Sequence, residues 1–302
     1  MVRVLCLTFS GIALLGAVMT LFASFGLPFE LFSHFRPLFA VLAAAIAVLI
    51  ALKDWRLSLP ALAAALLFAG QTIWGTDWRA ENPSIEGNSL TVAWANIFRS
   101  RDAAEAFAAL IEEHQPDVVG IAEADMIRND RIAELFSGYL HSAVAEVDFR
   151  KKVILLSRFP VSDVVIHDDA DPLRPWISAT ITTPDGPWLV AAAHAMAPFS
   201  AGMLRDRDRL IEDVEKWMVN SGDMVMGDFN ATPWSPALKR SGLERAGNPF
   251  PNPTWGRKIP LLGLPIDHVF VSDRIGVREV EVWPAIGSDH FPLYAEIVRA
   301  KK

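Results

Sequence analysis

The chain has 302 residues, of which 52% are hydrophobic, and its 28 basic and 35 acidic side chains give a formal net charge of -7. This length allows one large domain or two smaller ones, and the acidic balance argues against a protein that binds nucleic acid through a broad basic surface. The single cysteine, Cys6, excludes a framework of intrachain disulfides.

Three nearly uncharged runs open the chain, at about residues 4–27, 37–52 and 57–75. Each approaches the roughly 20 apolar residues that cross a bilayer, so the sequence predicts a transmembrane region of three helices in residues 1–76. The first run could instead be a signal peptide, but two more runs follow it and no small-x-small cleavage site is evident. A buried hairpin of a soluble protein is the other alternative, although runs with so few polar positions offer no face to solvent.

Charges in the short connections predict the orientation of these helices. Arg3, Lys53 and Arg56 would lie on one side of the membrane, and Arg36 on the other. The positive-inside rule then places the N-terminus in the cytoplasm and the remainder of the chain outside. The prediction is a multi-pass protein of the cell (inner) membrane with an extracytoplasmic, periplasmic domain. That domain carries 24 bases and 33 acids, a net charge of -9, which repels a polyanion.

Residues 77–89 are polar and indicate a linker, and residues 90–302 alternate between strand and helix patterns. Such alternation is typical of α/β layers. The predicted strands are 90–95, 117–122, 153–156, 177–183, 188–193, 224–226, 266–271 and 293–298, and the predicted helices are 102–114 and 203–219.

Polar side chains cluster at the ends of these predicted strands. Those that follow a strand are Asn96, Glu123, His194, Asp228 and Asn230, and those near the start of a later strand are Asp267, Asp289 and His290. If the later strands run antiparallel to the earlier ones, all of these groups meet at one rim. Carboxylates and amides without thiolates suit a hard cation, Mg²⁺ or Mn²⁺, and zinc is disfavoured by the absence of close His/Cys pairs.

The order of these motifs resembles that of a known superfamily. The segments Asn96, Glu123, His194, Gly227-Asp228-Phe229-Asn230, Ile266-Asp267-His268 and Ser288-Asp289-His290 follow one another as in the endonuclease/exonuclease/phosphatase (DNase I-like) superfamily, over about residues 90–298. The resemblance implies a catalytic domain in residues 90–302 with a four-layer α-β-β-α sandwich, in which two packed mixed sheets are flanked by helices. It also implies a Mg²⁺ or Mn²⁺ cofactor.

The residues suggest roles within such a site. His290 is a candidate general base because imidazole titrates near neutral pH, and by resemblance Asp267 is its carboxylate partner. Glu123 is a candidate metal ligand, alone in an apolar run, and the resemblance adds Asn96, with Asp289 as a further group that could reach the ion.

The resemblance also assigns groups that would act on the phosphate and the water. It implies that Asp228 orients the attacking water, that Asn230 binds a phosphate oxygen and that His194 stabilises the charge that develops on the phosphate. Arg174 could assist substrate binding, although an Arg between two prolines suits a surface loop equally well. Asx-type turns before Thr232-Pro233 would explain Asp228 and Asn230 without any catalytic role.

The predicted function is metal-dependent hydrolysis of a phosphate ester or pyrophosphate by in-line attack of water. The layout is similar to the membrane-anchored, VanJ-like bacterial branch of the superfamily, which implies a lipid-linked phosphorylated substrate and the bilayer as a partner. Two alternatives are an extracytoplasmic nuclease and a non-catalytic membrane scaffold. Nucleic acid is not the expected partner, and the pattern does not distinguish one metal from two or indicate an oligomeric state.

Overall fold

The structure is a computed structural model of the full chain, and it describes residues 2–74, 76–147, 150–168, 174–248, 250, 252–256 and 263–300. The chain divides into two compact units. The first consists of Met1–Thr76 together with Thr232–Arg240, and the second of Asp77–Ala231 and Ser241–Lys302.

The first unit is helical. Its elements are α1 (Val2–Met19), a 3₁₀ helix (Thr20–Phe25), α2 (Phe29–His34), α3 (Arg36–Ala51) and α4 (Trp55–Ile73). Small residues such as Ala17, Ala43, Ala64 and Ala65 are buried together with Phe68, which lets the helices approach closely.

Two helical stretches of the described residues are long and apolar enough to cross a membrane. They are Arg3–Phe25, with 23 residues, and Trp55–Ile73, with 19. The apolar helix between them, Arg36–Ala51, has 16 residues and is shorter than this criterion. Three membrane-crossing helices therefore stay a prediction, and two are weakly indicated by length and composition.

The connection between the first two runs is more ordered and more buried than the sequence suggests. It contains α2, and the side chains of Glu30, His34 and Arg36 are buried in the first unit. The Nε2 of His34 lies 3.0 Å from the Oε1 of Glu30. Arg36, which the sequence analysis treats as a loop charge, donates from Nη2 to the Thr20 carbonyl oxygen at 2.6 Å. Each of these side chains has at least one partner inside the unit, as the burial of a charge requires.

The second unit contains two mixed β-sheets. Its strands are β1 (Trp78–Arg79), β2 (Gly87–Asn96), β3 (Val118–Ala122), β4 (His141–Val147), β5 (Arg150–Ser157), β6 (Val161–His167), β7 (Trp176–Thr183), β8 (Gly186–His194), β9 (Met224–Asp228), β10 (Glu244–Ala246), β11 (Asp267–Val271), β12 (Ile275–Val282) and β13 (Leu293–Ala300). The orders are β1-β10-β11-β9-β8-β7-β6 in one sheet and β12-β13-β2-β3-β5-β4 in the other. Residues 77–89, predicted as a linker, contain β1 and the start of β2.

The two sheets share a buried apolar core, to which Trp94, Trp188, Met226 and Leu293 contribute. Helices flank the sheets. They are α5 (Arg101–His114), α6 (Asn129–Leu135) and α7 (Ala201–Asn220), and the short α8 (Pro236–Ser241) spans the boundary between the units. The described residues thus form an α/β fold of two mixed sheets flanked by helices, as the sequence predicts.

Strand pairing brings the polar strand ends to one edge. β8 and β9 are parallel with His194 opposite Asp228, and β9 and β11 are antiparallel with Asp228 opposite Asp267. In the other sheet β2 is parallel to β3, whose end is followed by Glu123, and antiparallel to β13, which follows His290. The sequence predicts that these groups converge if the later strands run antiparallel to the earlier ones. β11 and β13 meet this condition.

Candidate active site

Asp228 lies at the centre of the cluster, and three side chains and one backbone N–H approach it. Its Oδ2 accepts a hydrogen bond from Asn96 Nδ2 at 3.0 Å. The same oxygen lies 3.6 Å from His194 Nε2 and 3.7 Å from His290 Nε2. The backbone N–H of Asn230 donates to Oδ1 at 2.9 Å. Asp228 is 1% exposed, so these contacts form out of bulk solvent.

Asp267 connects the catalytic edge to the core. Its Oδ2 lies 2.8 Å from His290 Nδ1, and its Oδ1 accepts a hydrogen bond from Trp94 Nε1 at 2.9 Å. Both carboxylate oxygens are therefore engaged, and all three side chains are buried. Held in this way through Nδ1, the imidazole presents Nε2 toward Asp228.

Glu123 lies at the more open side of the cluster, next to the buried Asn96. The Nδ2 of Asn96 is 3.4 Å from Glu123 Oε1, and that oxygen lies 3.6 Å from His194 Nε2. The Glu123 side chain is 16% exposed, whereas that of Asp228 is 1% exposed. Glu123 is thus the acidic group through which a solvated ion could enter the cluster.

Asp289 is joined to this region through its neighbour. Ser288 Oγ donates to the Asn96 carbonyl oxygen at 2.7 Å, which fixes the turn before His290. Asp289 Oδ2 accepts from Trp255 Nε1 at 2.9 Å. Its Oδ1 is buried and has no hydrogen-bond partner among the described residues. An unmatched buried carboxylate oxygen suits a site that binds a cation.

His194, Arg174 and Asn230 complete the predicted set. Arg174 Nη1 lies 2.9 Å from Nε2 of His194 and 3.0 Å from Nδ1, so the guanidinium lies against the imidazole. Asn230 Nδ2 donates to the Ala195 carbonyl oxygen at 3.0 Å. Contacts therefore connect eight of the nine predicted site residues at the strand ends, whereas the side chain of the ninth, Asp289, contacts Trp255.

The backbone is strained where these side chains are presented. Positive φ angles occur at the non-glycine residues Phe98 (48°), Arg99 (57°), Glu123 (54°) and Asn230 (47°). Left-handed conformations cost about 1 kcal/mol or more for residues with a Cβ, and they concentrate at functional sites. Here they turn the chain immediately after β2, β3 and β9.

Burial and crowded charge shift the protonation of the cluster. Burial raises the pKa of Asp228 to about 7, against the opposing effect of the His290 cation. Burial alone lowers the pKa of His290, but the negative charges of Asp267 and Asp228 outweigh it and raise that pKa to about 10. The cluster therefore holds protons more tightly than isolated side chains do, and a bound cation would reduce this excess of negative charge.

The residues present fit a hard divalent cation. Asp228, Asp267 and His290 offer ligand atoms within 4.8 Å of one another. However, both oxygens of Asp267 already accept hydrogen bonds, from Trp94 and in the contact with His290. Glu123 and Asp289 carry further carboxylate oxygens, which are ligands that Mg²⁺ and Mn²⁺ prefer. Asn96 instead faces Asp228 and Glu123 with its Nδ2, while its Oδ1 accepts a hydrogen bond from the Phe98 backbone N–H at 3.0 Å.

Four supporting residues are absent from the sequence prediction. Trp94 binds Asp267, Ser288 binds the Asn96 carbonyl, and Thr254 Oγ1 accepts from the Asp267 backbone N–H at 3.0 Å. Arg207, on α7, donates to the Asn230 carbonyl oxygen at 3.3 Å. Ser288 belongs to the motif Ser288-Asp289-His290 that the sequence reveals, although no role was predicted for it. A signal also exists for Trp94, because it precedes Asn96 by two positions on one strand and so faces the same side.

Comparison with known proteins places this architecture in a family. The profile of the Endonuclease/Exonuclease/phosphatase family matches residues 93–290, and the chain therefore belongs to that family. It is an enzyme, a hydrolase that acts on phosphoester bonds. A search of the curated proteins finds no match.

Solved structures share the fold at low sequence identity. An endonuclease/exonuclease/phosphatase from Beutenbergia cavernae is 21% identical, with a TM-score of 0.58 over 70% of this chain and 72% of that one. The 3′ phosphatase NExo from Neisseria, bound to a product DNA hairpin, is 20% identical, with a TM-score of 0.56 over 68% and 98%. A family protein from Bacteroides thetaiotaomicron is 18% identical, with a TM-score of 0.57 over 72% and 100%.

Proposed function

We propose that the protein is a membrane-anchored, divalent-metal-dependent phosphoesterase that hydrolyses a lipid-linked phosphate ester or pyrophosphate. The observation that carries the catalytic part is the convergence of His194, His290 and Asn96 on Asp228, each within 3.7 Å of one oxygen. The two apolar helical stretches near the N-terminus support the anchor.

The chain's own residues would divide the work of hydrolysis. Asp228 and His290 Nε2 would hold the attacking water between them, and His290 would accept its proton while Asp267 stabilises the resulting imidazolium. His194, with Arg174 beside it, and the Asn230 amide would donate to the non-bridging phosphate oxygens as negative charge grows there. The strained backbone at Asn230 fixes its position before the substrate arrives.

The metal would be held by the carboxylates of Glu123 and Asp289, with the Nδ2 of Asn96 against its water shell. Mg²⁺ or Mn²⁺ at this position supplies charge neutralisation for a phosphate oxygen and its leaving group. The exposure of Glu123 and the unmatched Asp289 oxygen support this assignment. Whether Asp228 also contacts the ion affects only the number of ligands.

A nuclease is the competing function. One structure with the same fold is a 3′ phosphatase bound to DNA. The charge of this chain favours the lipid substrate, since residues after 76 carry 24 bases and 33 acids. Enzymes that bind polynucleotides usually gain affinity from basic groups that release counterions.

A substrate comparison tests the proposal. Purified full-length protein in detergent would be given a prenyl pyrophosphate or single-stranded DNA, with Mg²⁺, at low and high salt. We expect faster phosphate release from the lipid and loss of that activity in His290→Ala. Preferred cleavage of DNA would favour the nuclease, and undiminished turnover by His290→Ala would overturn the proposed mechanism.

A further inference from the structure

The first unit contains a groove of about 510 Å³ that the catalytic site does not use. Its walls come from the 3₁₀ helix, from the last two turns of α4 and from the segment Thr232–Arg240. All of its lining residues belong to the first unit. This volume lies in the range of cavities that hold one small-molecule ligand, about 300–1,000 Å³.

The sides of the groove are apolar and accessible. Leu21 is 54% exposed, Leu66 65% and Trp74 84%. They lie near the ends of the two stretches that are long enough to cross a membrane, Arg3–Phe25 and Trp55–Ile73. Apolar walls at the end of membrane-crossing helices suit a hydrocarbon chain that enters from the bilayer.

The groove carries positive charge. Arg36, Lys239 and Arg240 line it, and no acidic side chain is among the described residues that do. Lys239 Nζ donates to the carbonyl oxygens of Gln71 and Trp74, which holds the ammonium at the C-terminal end of α4. Glu30, the acidic residue of α2, is engaged by His34.

Arg36 is a buried cation among the lining residues of the groove. Its side chain is 5% exposed, and its two terminal nitrogens donate to the carbonyl oxygens of Trp234 and Thr20. Its Nε is buried and has no hydrogen-bond partner among the described residues. The Nε is closed off from the groove, but the Arg36 side chain lines the groove, and its positive charge there favours an anionic ligand.

We propose that this groove binds the lipid part of a lipid phosphate. Its hydrocarbon chain would lie against Leu21, Leu66 and Gly70, and its anionic head would be attracted by Arg36, Lys239 and Arg240. The segment that carries Trp234 and Lys239 begins two residues after Asn230 in the sequence. That the bound lipid is the enzyme's substrate rests on the proposed function. That the groove binds a lipid phosphate rests on the groove alone.

Gly70 provides a selective test. A Cβ placed on Gly70 meets nothing within 4 Å, so Gly70→Leu begins in open space and extends an apolar side chain from a residue that lines the groove. Gly11, on α1, also has open space around an added Cβ and does not line the groove. Gly11→Leu is therefore the matched control, since both changes replace a helical glycine by a better helix former.

The binding experiment uses quenching of tryptophan fluorescence, because Trp74 and Trp234 line the groove. Full-length protein in neutral detergent, without divalent metal, would be titrated with dibromo-octadecyl phosphate or dibromo-octadecyl glucoside. We expect the wild type to bind the phosphate more tightly than the glucoside. Gly70→Leu should weaken binding of the phosphate about tenfold, which corresponds to the loss of a few buried methylenes, and Gly11→Leu should bind it as the wild type does. Arg240→Gln should reduce the preference for the phosphate. Equal titrations for the wild type and Gly70→Leu would overturn the proposal.

A turnover experiment separates this inference from the proposed function. Methyl and dodecyl 4-nitrophenyl phosphate share one scissile bond and differ in chain length, so the ratio of their kcat/KM values reports the groove. We expect Gly70→Leu to lower the dodecyl-to-methyl ratio about tenfold. If neither ester is hydrolysed while the brominated phosphate still binds in a Gly70-dependent way, the proposed function fails and the groove stands. Hydrolysis without any effect of Gly70→Leu on the ratio or on binding defeats the groove alone.

Discussion

At the scale of single residues, Asp228 and His290 lie close together and each alters the pKa of the other through its charge. Asp267 accepts from Trp94 and contacts His290 Nδ1, which keeps the imidazole oriented and its pKa near 10. Such a tightly protonated imidazole becomes a general base only where positive charge offsets its carboxylate neighbours. The predicted role of His290 as a base therefore depends on the predicted divalent cation, because the cation supplies that positive charge.

The variant Asp267→Asn tests the role of this carboxylate. It removes the negative charge that raises the His290 pKa, so the limb of the pH profile on which activity rises should move to lower pH. It also removes the partner that stabilises the imidazolium, so kcat should fall on the order of 100-fold or more. Steady-state kinetics from about pH 5 to about pH 10 would measure both effects. The exposed Asp273→Asn is the control, and a pH profile that is the same in both variants would contradict the assignment.

Glu123 should control metal binding. We expect Mg²⁺ to raise the melting temperature of the wild type, because a ligand that binds only the folded state stabilises it. In Glu123→Gln this increase should largely disappear, and kcat/KM should fall at least about tenfold. Thermal unfolding with and without Mg²⁺ reports the metal independently of turnover. Glu105→Gln, an exposed acid on α5, is the control, and an unchanged Mg²⁺ effect in Glu123→Gln would exclude Glu123 as a ligand.

The raised pKa values predict how the metal-free protein responds to pH. The stability that His290 contributes is fully present below its unfolded pKa of about 6.5 and is lost as the pH rises through about 10. For Asp228, whose pKa is raised to about 7, stability is lost as the pH rises from about 4 to about 7. Both effects have the same sign. The melting temperature without metal should therefore fall across this range, and Asp228→Asn should remove the part between about pH 4 and about pH 7. A Tm that rises with pH in EDTA would refute this.

At the scale of elements, burial decides which strands the sequence reveals. The predicted strands correspond to β2, β3, β5, β7, β8, β9, β11 and β13, and all of them are interior strands of the two sheets. The longer missed strands, β4, β6 and β12, lie at sheet edges. An edge strand has one strand neighbour and more solvent, so its side chains need less apolar character. β6 shows this most clearly, with Val164, Val165 and Ile166 all about half exposed.

Gly120 on β3 couples sheet packing to the site. A Cβ at this position would lie 2.6 Å from Trp94 Cε3 and 3.0 Å from Met226 Cε. We expect Gly120→Ala to destabilise the fold by about 1–3 kcal/mol and to lower kcat, because Trp94 must move from the position in which it binds Asp267. Chemical denaturation and kinetics would measure the two effects. Gly138→Ala, where a Cβ meets nothing within 4 Å, is the control, and a Gly120→Ala protein as stable and active as this control would contradict the argument.

At the scale of the whole molecule, the chain combines an apolar helical unit with an acidic catalytic unit. The segment Thr232–Arg240, which begins two residues after Asn230, belongs to the helical unit and interrupts the sequence of the second unit. Trp234 Nε1 donates to the His34 carbonyl oxygen at 3.0 Å, and His34 Nδ1 lies 2.8 Å from Thr232 Oγ1. The helices are thus bound to the sequence that directly follows two candidate catalytic residues.

The predicted topology can be tested with single cysteines in a Cys6→Ala background. Glu113→Cys and Lys53→Cys introduce thiols at exposed positions of the second and first units. The positive-inside rule predicts that a membrane-impermeant maleimide labels Glu113→Cys in spheroplasts and labels Lys53→Cys only after lysis. Labelling in the opposite order would place the catalytic unit in the cytoplasm.

The sequence by itself determined the family and proposed the residues of the candidate site, because each motif is a short local pattern at the end of an apolar strand. Asp228 and Asn230, for example, are recognised from four consecutive residues. Only the tertiary structure decided which distant groups support them, since Trp94 and Arg207 reach the site through packing between elements far apart in the chain. The same holds for Arg36, whose charge appears in the sequence as a loop cation and in the fold as a buried donor. A short sequence pattern reveals a strand and the polar residues at its end. The burial of a charge depends instead on contacts with residues far away in the chain, which no short segment encodes.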